Sequence, residues 1–325
     1  MNQKLFMDRY KRFNEEDEAI QLSMNTILAF EEYIDKDIEQ TTIDNIRDYM
    51  EHLIATKSNR YNNVIHIARY YYYVDMKEHY IQMTKYFNSL GVLEHIVDRI
   101  AMYESEELKE DVVKDLELPP FGTDSTDLPR YAKKFMDVMR SKLSETSCNK
   151  ILAGNNHRIP ESSFEKEKEF YEQSDSFAEY LRYRHIRKVA ELQEYYDENR
   201  IWFEQVITPD VIEFVRANPE ILSGVIENDK LYITKIPYDI NRFLRAEDDT
   251  WKRYYACHCS FVRENILDGK EDIPKEWCYC SGGFAKFPFE TILGQELDVK
   301  LLETPLDGDL LCRFEIDLSN VDYKR

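Results

Sequence analysis

The sequence predicts an α+β protein, with an all-α helical bundle first and an α+β domain built on an antiparallel sheet after it. Three observations predict this. Glycine (9) and proline (10) are scarce in 325 residues while Glu, Lys, Leu and Tyr abound, a mix that favours helix over sandwich or barrel. Apolar residues follow the helical period through the first hundred positions. Beyond residue 225 the period falls towards two, with β-rich flanks around turn residues. The length suits two domains, expected as 1–103 (helical), 104–128 (linker) and 129–325 (α+β, carrying most of the cysteines).

From about Asn14 to Arg99 the chain reads as short helices. Ile20, Met24, Ile27, Leu28 and Tyr33 recur at helical spacing. Thr42 is a strong N-cap for a helix over 43–54, with Ile43, Ile46, Met50 and Leu53 on one face. Further helices are expected at 62–73 and 77–89, with Gly91 as a stop before a last one at 92–103. The acidic run from Glu104, ending in Pro119-Pro120-Phe121-Gly122, reads as a linker. A helix over 131–143 and a polar loop with Cys148, Gly154, Asn155, Asn156 and His157 follow, then a charged helix over 164–195. Thr208-Pro209-Asp210 starts a helix reaching Ala217.

A hairpin is expected over 225–236, turning at Glu227-Asn228-Asp229-Lys230. Then come a short helix at 238–244, a strand at 251–259, a helix at 261–267 closed by Gly269, and a helix at 284–293 that Pro288 kinks or restarts. In the last hairpin Leu310, Cys312, Phe314, Ile316 and Leu318 alternate, as do Leu297, Val299 and Leu301. A loop over 305–308 would pair Leu301 with Cys312 and Val299 with Phe314, setting Glu303 and Cys312 towards one interior.

The 63 acidic against 43 basic residues give a formal charge of -20. Such a chain repels phosphate backbones, so nucleic-acid binding is disfavoured. No apolar run approaches a membrane span, and the first residues lack a signal-peptide core, so a cytoplasmic protein is expected. Cysteines in such a compartment stay reduced.

Five of the six cysteines fall in the last quarter. Cys257 and Cys259 share one face if the segment is a strand, with His258 turned away. Cys278 and Cys280 repeat the spacing, and four thiolates suit tetrahedral zinc. The competing readings are small buried hydrophobes, chiefly for Cys312, a disulfide framework, or a nucleophilic thiol among Cys278 and Cys280. Such a nucleophile would need a base such as His157 brought from its distant loop, with Glu303 as acid or extra ligand. Ser281-Gly282-Gly283, ahead of a helical pattern, offers free N–H groups for an anion, or merely a tight turn and close packing.

Two stretches carry family resemblances. EEYIDKDIEQTTIDNIRDYMEHLIATKSNRYNNVIHIARYYYYVD resembles the SAM-like core-binding domain of phage-integrase tyrosine recombinases. Their catalytic half is missing: His66-Ile67-Ala68-Arg69 has the His-x-x-Arg spacing but lies within the bundle, where packing explains it. Cys257-His258-Cys259, Trp277-Cys278-Tyr279-Cys280-Ser281-Gly282-Gly283-Phe284, Glu303-Thr304 and Gly308-Asp309-Leu310-Leu311-Cys312-Arg313-Phe314 are similar to a bacterial family related to L-2-amino-thiazoline-4-carboxylate hydrolases. The same end resembles the 4-vinyl reductase domain. These resemblances imply a small-molecule pocket between sheet and helices, and zinc held by cysteines with an acidic residue.

The expectation is therefore a small-molecule- or metal-binding, sensor-like protein, with a protein partner or a second copy at its helical end. A cysteine- or zinc-dependent hydrolase of a small cyclic substrate is the alternative, and a DNA-associated protein the third.

Overall fold

The computed structural model describes residues 1–12 and 17–325, so the expected start of the helical half at Asn14 lies outside the described residues. The chain divides into two compact units: Met1–Leu90 with Pro119–Leu128, and Gly91–Leu118 with Pro129–Arg325. The helices of the first are α1 (Gln3–Arg12), α2 (Asp17–Ile34), α3 (Ile43–Ala55), α4 (Tyr61–Tyr73) and α5 (Lys77–Lys85). Thr42 forms a capping box, its hydroxyl accepting from Asn45 N at 3.2 Å while its own N–H meets Asn45 Oδ1 at 3.1 Å. Ile46, Met50 and Leu53 of α3 pack on Ile27 and Phe30 of α2 and Ile67 of α4; each such side chain contributes about 1.5–3 kcal/mol of burial. Of the tyrosine run, Tyr70, Tyr71 and Tyr73 are buried and only Tyr72 is exposed, so the run serves the core and offers no stacking platform. His66 is buried on the same helix.

The boundary between units differs from the expected one. The helix α6 (Val92–Tyr103), expected to end the first bundle, belongs to the second unit. Its His95 Nδ1 meets Asn156 O at 2.6 Å, and Arg99 Nε donates to Ile151 O at 2.9 Å. The expected linker is not one element either. Ser105 caps α7 (Glu106–Asp115), accepting from Leu108 N at 3.1 Å, while Phe121 packs into the first unit's core.

The second unit continues with α8 (Leu128–Lys142), α9 (Glu145–Leu152), α10 (Glu165–Gln173) and α11 (Phe177–Asp197). The long helix expected over 164–195 is thus two, because Ser176 starts a new one by capping Glu179 N at 3.2 Å. A small hairpin, β1 (Ile201–Trp202) and β2 (Gln205–Val206), precedes α12 (Pro209–Ala217), whose first turn holds Pro209 as expected. Then follow β3 (Val225–Glu227), β4 (Lys230–Thr234), α13 (Ile240–Arg245), α14 (Asp249–Ala256), α15 (Asn265–Asp268), α16 (Tyr279–Leu293), β5 (Asp298–Glu303) and β6 (Arg313–Asp317).

The main sheet is antiparallel, in the order β3-β4-β6-β5. Asn228 and Asp229, both left-handed, make the two-residue turn that the sequence marks. One face, with Leu231, Ile233, Phe314 and Ile316, packs against Phe289 and Ile292 of α16 and Phe177 of α11. The last hairpin pairs Leu301 with Phe314 and Val299 with Ile316, two residues from the expected register. An even slip keeps the same side chains inward. It arises because 304–312 form a longer loop, in which Asp309 N meets Thr304 O at 3.1 Å and Thr304 N meets Asp309 Oδ2 at 2.9 Å.

Three local readings are corrected. Cys148, expected in a polar loop, lies on α9, which Ser144 caps by accepting from Ser147 N at 3.1 Å. The segment 251–259 is not a strand. Asp248 caps α14 by accepting from Thr250 N (2.9 Å) and Trp251 N (3.1 Å), and Trp251 stacks on Tyr255 one turn later, with ring centroids 5.6 Å apart. The expected helix at 284–293 begins five residues earlier and passes through Pro288 without restarting. Gly282 and Gly283 thus sit inside α16, so no open loop with free N–H groups exists there. An added Cβ on Gly283 would stand 2.4 Å from Gly154 O, and one on Gly282 3.3 Å from the Val299 methyls. Close packing is what these glycines serve.

Candidate functional site

Five thiols gather in the second unit, from three separate parts of the chain. Cys257 and Cys259 follow α14, Cys278 and Cys280 open α16, and Cys312 precedes β6. Each lies within electrostatic range of others: Cys257 of Cys259 and Cys312, Cys278 of Cys312, Cys257 and Cys259, and Cys280 of Cys259. None is in a disulfide. Cys148 stands apart on α9, lining a cleft of about 160 Å³ with Arg140, Glu145, Asn149 and Glu276.

The sulfurs accept hydrogen bonds from named donors. Trp277 Nε1–H donates to Cys259 Sγ at 3.2 Å, and Asn156 Nδ2 to Cys280 Sγ at 3.4 Å. The Thr304 hydroxyl serves Cys278. Burial nevertheless dominates. It pushes Cys280 up to about 12 and Cys312 up to about 11, and raises Cys257, Cys259 and Cys278 as well. Desolvation penalises the thiolate more than these donors and the nearby cations favour it. The resting cluster is therefore made of neutral thiols, and Cys278 and Cys280 are poorly activated as nucleophiles. Among the described residues, no three His, Cys, Asp or Glu side chains stand close enough to share a metal ion.

His258 does not turn to solvent. Its Nε2–H donates to Ile236 O at 2.5 Å, which leaves Nδ1 as the acceptor in the tautomer this carbonyl implies. Packing around the ring, then the charges of Lys235 and Arg263, hold its pKa well below the usual imidazole value. Arg263 is itself 4% exposed and lies against the Tyr238 ring, 4.3 Å from its centroid.

At the outer edge of the cluster, Lys235 Nζ rests 4.7 Å above the Phe284 ring, and His157 meets the same ring edge-on at 5.5 Å. His157 and Phe284 are exposed; Asn156 beside them is 1% exposed. The loop of Asn156 and His157 therefore comes to Cys280 and Phe284, one turn apart on α16. Lys235 was not marked by the sequence. It lies just past β4, carries no motif, and reaches the cluster because its backbone N–H pairs with Cys312 O at 2.9 Å. Its charge bears on Cys259, Cys280 and Cys312 together. Asn156 Oδ1 was also without a sequence signal: it is buried and, among the described residues, has no hydrogen-bond partner.

Glu303 is not part of this site. A bulge between Leu301 and Glu303 turns it to the opposite face of the sheet, 3.8 Å from Arg313 Nη1. Arg313 is in turn held by Glu220, with Nε at 2.7 Å and Nη2 at 2.8 Å. Glu303 therefore supplies neither an acid nor an extra ligand to the thiols. A larger cleft of about 310 Å³ lies by Ile226, Asp229, Tyr323 and Lys324, and none of the five clustered cysteines lines it.

Among the described residues, no helix is long and apolar enough to cross a membrane. No protein-family model, curated protein or solved structure matches this chain.

Proposed function

We propose that the second unit binds a small molecule over the thiol cluster, and that the protein works as a sensor-like binding module. The observation that carries this reading is the orphaned Asn156 Oδ1, an amide oxygen buried beside Cys280 without a donor among the described residues. An unmade hydrogen bond of this kind costs about 1–3 kcal/mol, a cost that a bound N–H or O–H group removes. Next to it stand an ammonium group on an aromatic ring, Lys235 on Phe284, and an exposed imidazole, His157. A few polar groups converging on an apolar and aromatic lining are the usual make-up of a ligand site.

The test is a thermal-shift screen of small organic acids, amines and thiols against the wild type and the Phe284→Ala and Asn156→Ala variants. A compound that raises the wild-type midpoint, with the gain lost in both variants, supports the reading. Failure of every compound to stabilise the wild type, or equal gains in the variants, overturns it. Elemental analysis of protein purified without chelator runs alongside. One tightly held zinc, lost in Cys278→Ser, would replace the small-molecule reading with the metal one.

A cysteine-dependent hydrolase of a small cyclic substrate is the second reading. Its support is that Asn156 donates to Cys280 while the adjacent His157 lies one helical turn along, on Phe284. It requires His157 to draw the proton from a thiol that burial keeps neutral, so turnover lost in Cys280→Ser and His157→Gln alike is its signature.

A further inference from the structure

We propose that the cleft beside Cys148 binds a small aliphatic α-amino acid: Arg140 takes the carboxylate, Glu276 and Asn149 take the ammonium, and Leu143 and Cys148 floor the side chain. The lining comes from three elements of the second unit. Arg140 lies in the last turn of α8, and Leu143 follows that helix. Glu145 and Asn149 stand one turn apart on α9, with Cys148 on the same helix. Glu276 lies on the 3-10 turn over Lys275–Cys278 that leads into α16. The result is an apolar floor under a charged rim. Cys148 is 2% exposed and Leu143 half-buried, whereas Arg140 and Glu145 are exposed.

Two observations point to a ligand. Charges of opposite sign face the cleft without meeting. Arg140, Glu276 and Glu145 all act electrostatically on Cys148. Yet among the described residues no carboxylate oxygen of Glu145 or Glu276 lies within 4.0 Å of a cationic nitrogen. A guanidinium and carboxylates held apart across one cleft match a molecule that carries both charges. The second observation is Asn149 Oδ1, which is buried and, among the described residues, has no hydrogen-bond partner. A buried acceptor of this kind calls for a donor, and an ammonium group offers three.

Size and charge narrow the class. At about 160 Å³ the cleft is well below the ~300 Å³ at which drug-sized pockets begin, so it has room for a few heavy atoms and none for a nucleotide. Two carboxylates to one guanidinium disfavour a ligand of net negative charge. The planar fork of Arg140 suits a carboxylate. Leu143 and the Cys148 thiol, a small hydrophobe, suit an alkyl side chain. This site is independent of the small-molecule reading above, since none of its lining residues belongs to the surface of Asn156, Lys235 and Phe284.

The probes are L-alanine, L-valine and L-leucine, each titrated into the full-length chain by calorimetry. For any that binds, the N-acetyl form removes the ammonium and the C-terminal amide removes the carboxylate. The expected result is saturable one-to-one binding of at least one amino acid with Kd below about 10 mM. Each blocked form binds about tenfold more weakly or worse, as expected from losing one charge-assisted contact. Arg140→Met and Glu276→Gln each weaken the amino acid by a similar factor. Arg140 is exposed, so its replacement spares the core, and circular dichroism checks the fold of both variants. Arg182→Met removes an exposed cation on α11 instead and leaves the affinity unchanged. Absence of saturable binding for all three amino acids would overturn the assignment. So would a blocked form that binds as tightly as its parent, an affinity unchanged in Arg140→Met or Glu276→Gln, or an equal loss in Arg182→Met.

Discussion

Replacing Gly283 by alanine tests the contact that brings the Asn156 loop to the thiols. On an isolated helix, glycine to alanine stabilises by about 1 kcal/mol, so propensity alone predicts a gain. The structure predicts a loss. A Cβ at position 283 would stand 2.4 Å from Gly154 O, 2.5 Å from Ala153 C and 2.6 Å from Gly154 N. All three are backbone atoms, so no side chain can swing aside, and α16 and the end of α9 must separate. Overpacking of this kind costs about 1–3 kcal/mol, and more where nothing yields. Set against the propensity gain, the net loss is about 2 kcal/mol, a fall in midpoint of about 4–8 °C for a unit of this size. Gly282→Ala is the control. The nearest atoms to its Cβ would be the Val299 methyls at 3.3 Å and Phe314 Cδ1 at 3.4 Å, all on side chains, so its stability stays within about 1 kcal/mol of wild type. Urea unfolding followed by circular dichroism measures both. A Gly283→Ala protein as stable as the wild type, or more so, would refute the close approach of the two backbones.

Other consequences follow from the same packing. Lys286, 4% exposed, donates to Glu290 and to Leu297 O at 2.6 Å. Lys286→Met therefore takes the ammonium from a partly buried carboxylate, leaving it the Leu297 N–H at 3.0 Å, and costs about 3 kcal/mol in urea unfolding, with part recovered in the Lys286→Met/Glu290→Leu double variant. His258, whose folded pKa lies below its unfolded value near 6.5, is held neutral in the fold. The unfolded chain binds its proton first, so the His258 contribution to native stability is flat above about pH 6.5 and falls as pH drops below it. In His258→Gln the loss of midpoint between about pH 6.5 and 5 is smaller than in wild type; identical pH profiles would show that the ring titrates freely. Asp248→Ala removes the cap from α14 and costs about 1 kcal/mol, whereas Asp249→Ala, which caps nothing, costs much less.

Local chemistry was legible in the sequence wherever a residue and its neighbours were enough to decide. Thr42 with Asn45, Pro209 after Thr208, Asn228-Asp229 between two strands and Gly269 after a short helix each act within one turn of chain. Chain class and the alternation of the last hairpin were legible for the same reason. The aromatic run 251–255 was not, because β propensity and an i to i+4 stack compete there and the Asp248 cap decides. Nor was Glu303, whose face depends on a single bulge.

The sequence by itself determined that this chain is helical first and mixed later, and that its thiols occur in two closely spaced pairs and two singles. Only the tertiary structure decided what those thiols meet. Convergence of Cys257, Cys278 and Cys312 depends on where α14, α16 and β6 pack. Lys235 enters through a backbone bond to Cys312, and Asn156 through the close approach of Gly154 to Gly283. Contacts made between residues far apart in the chain have no period in the sequence. They follow from which surfaces bury one another, and that was settled only when the whole unit had folded.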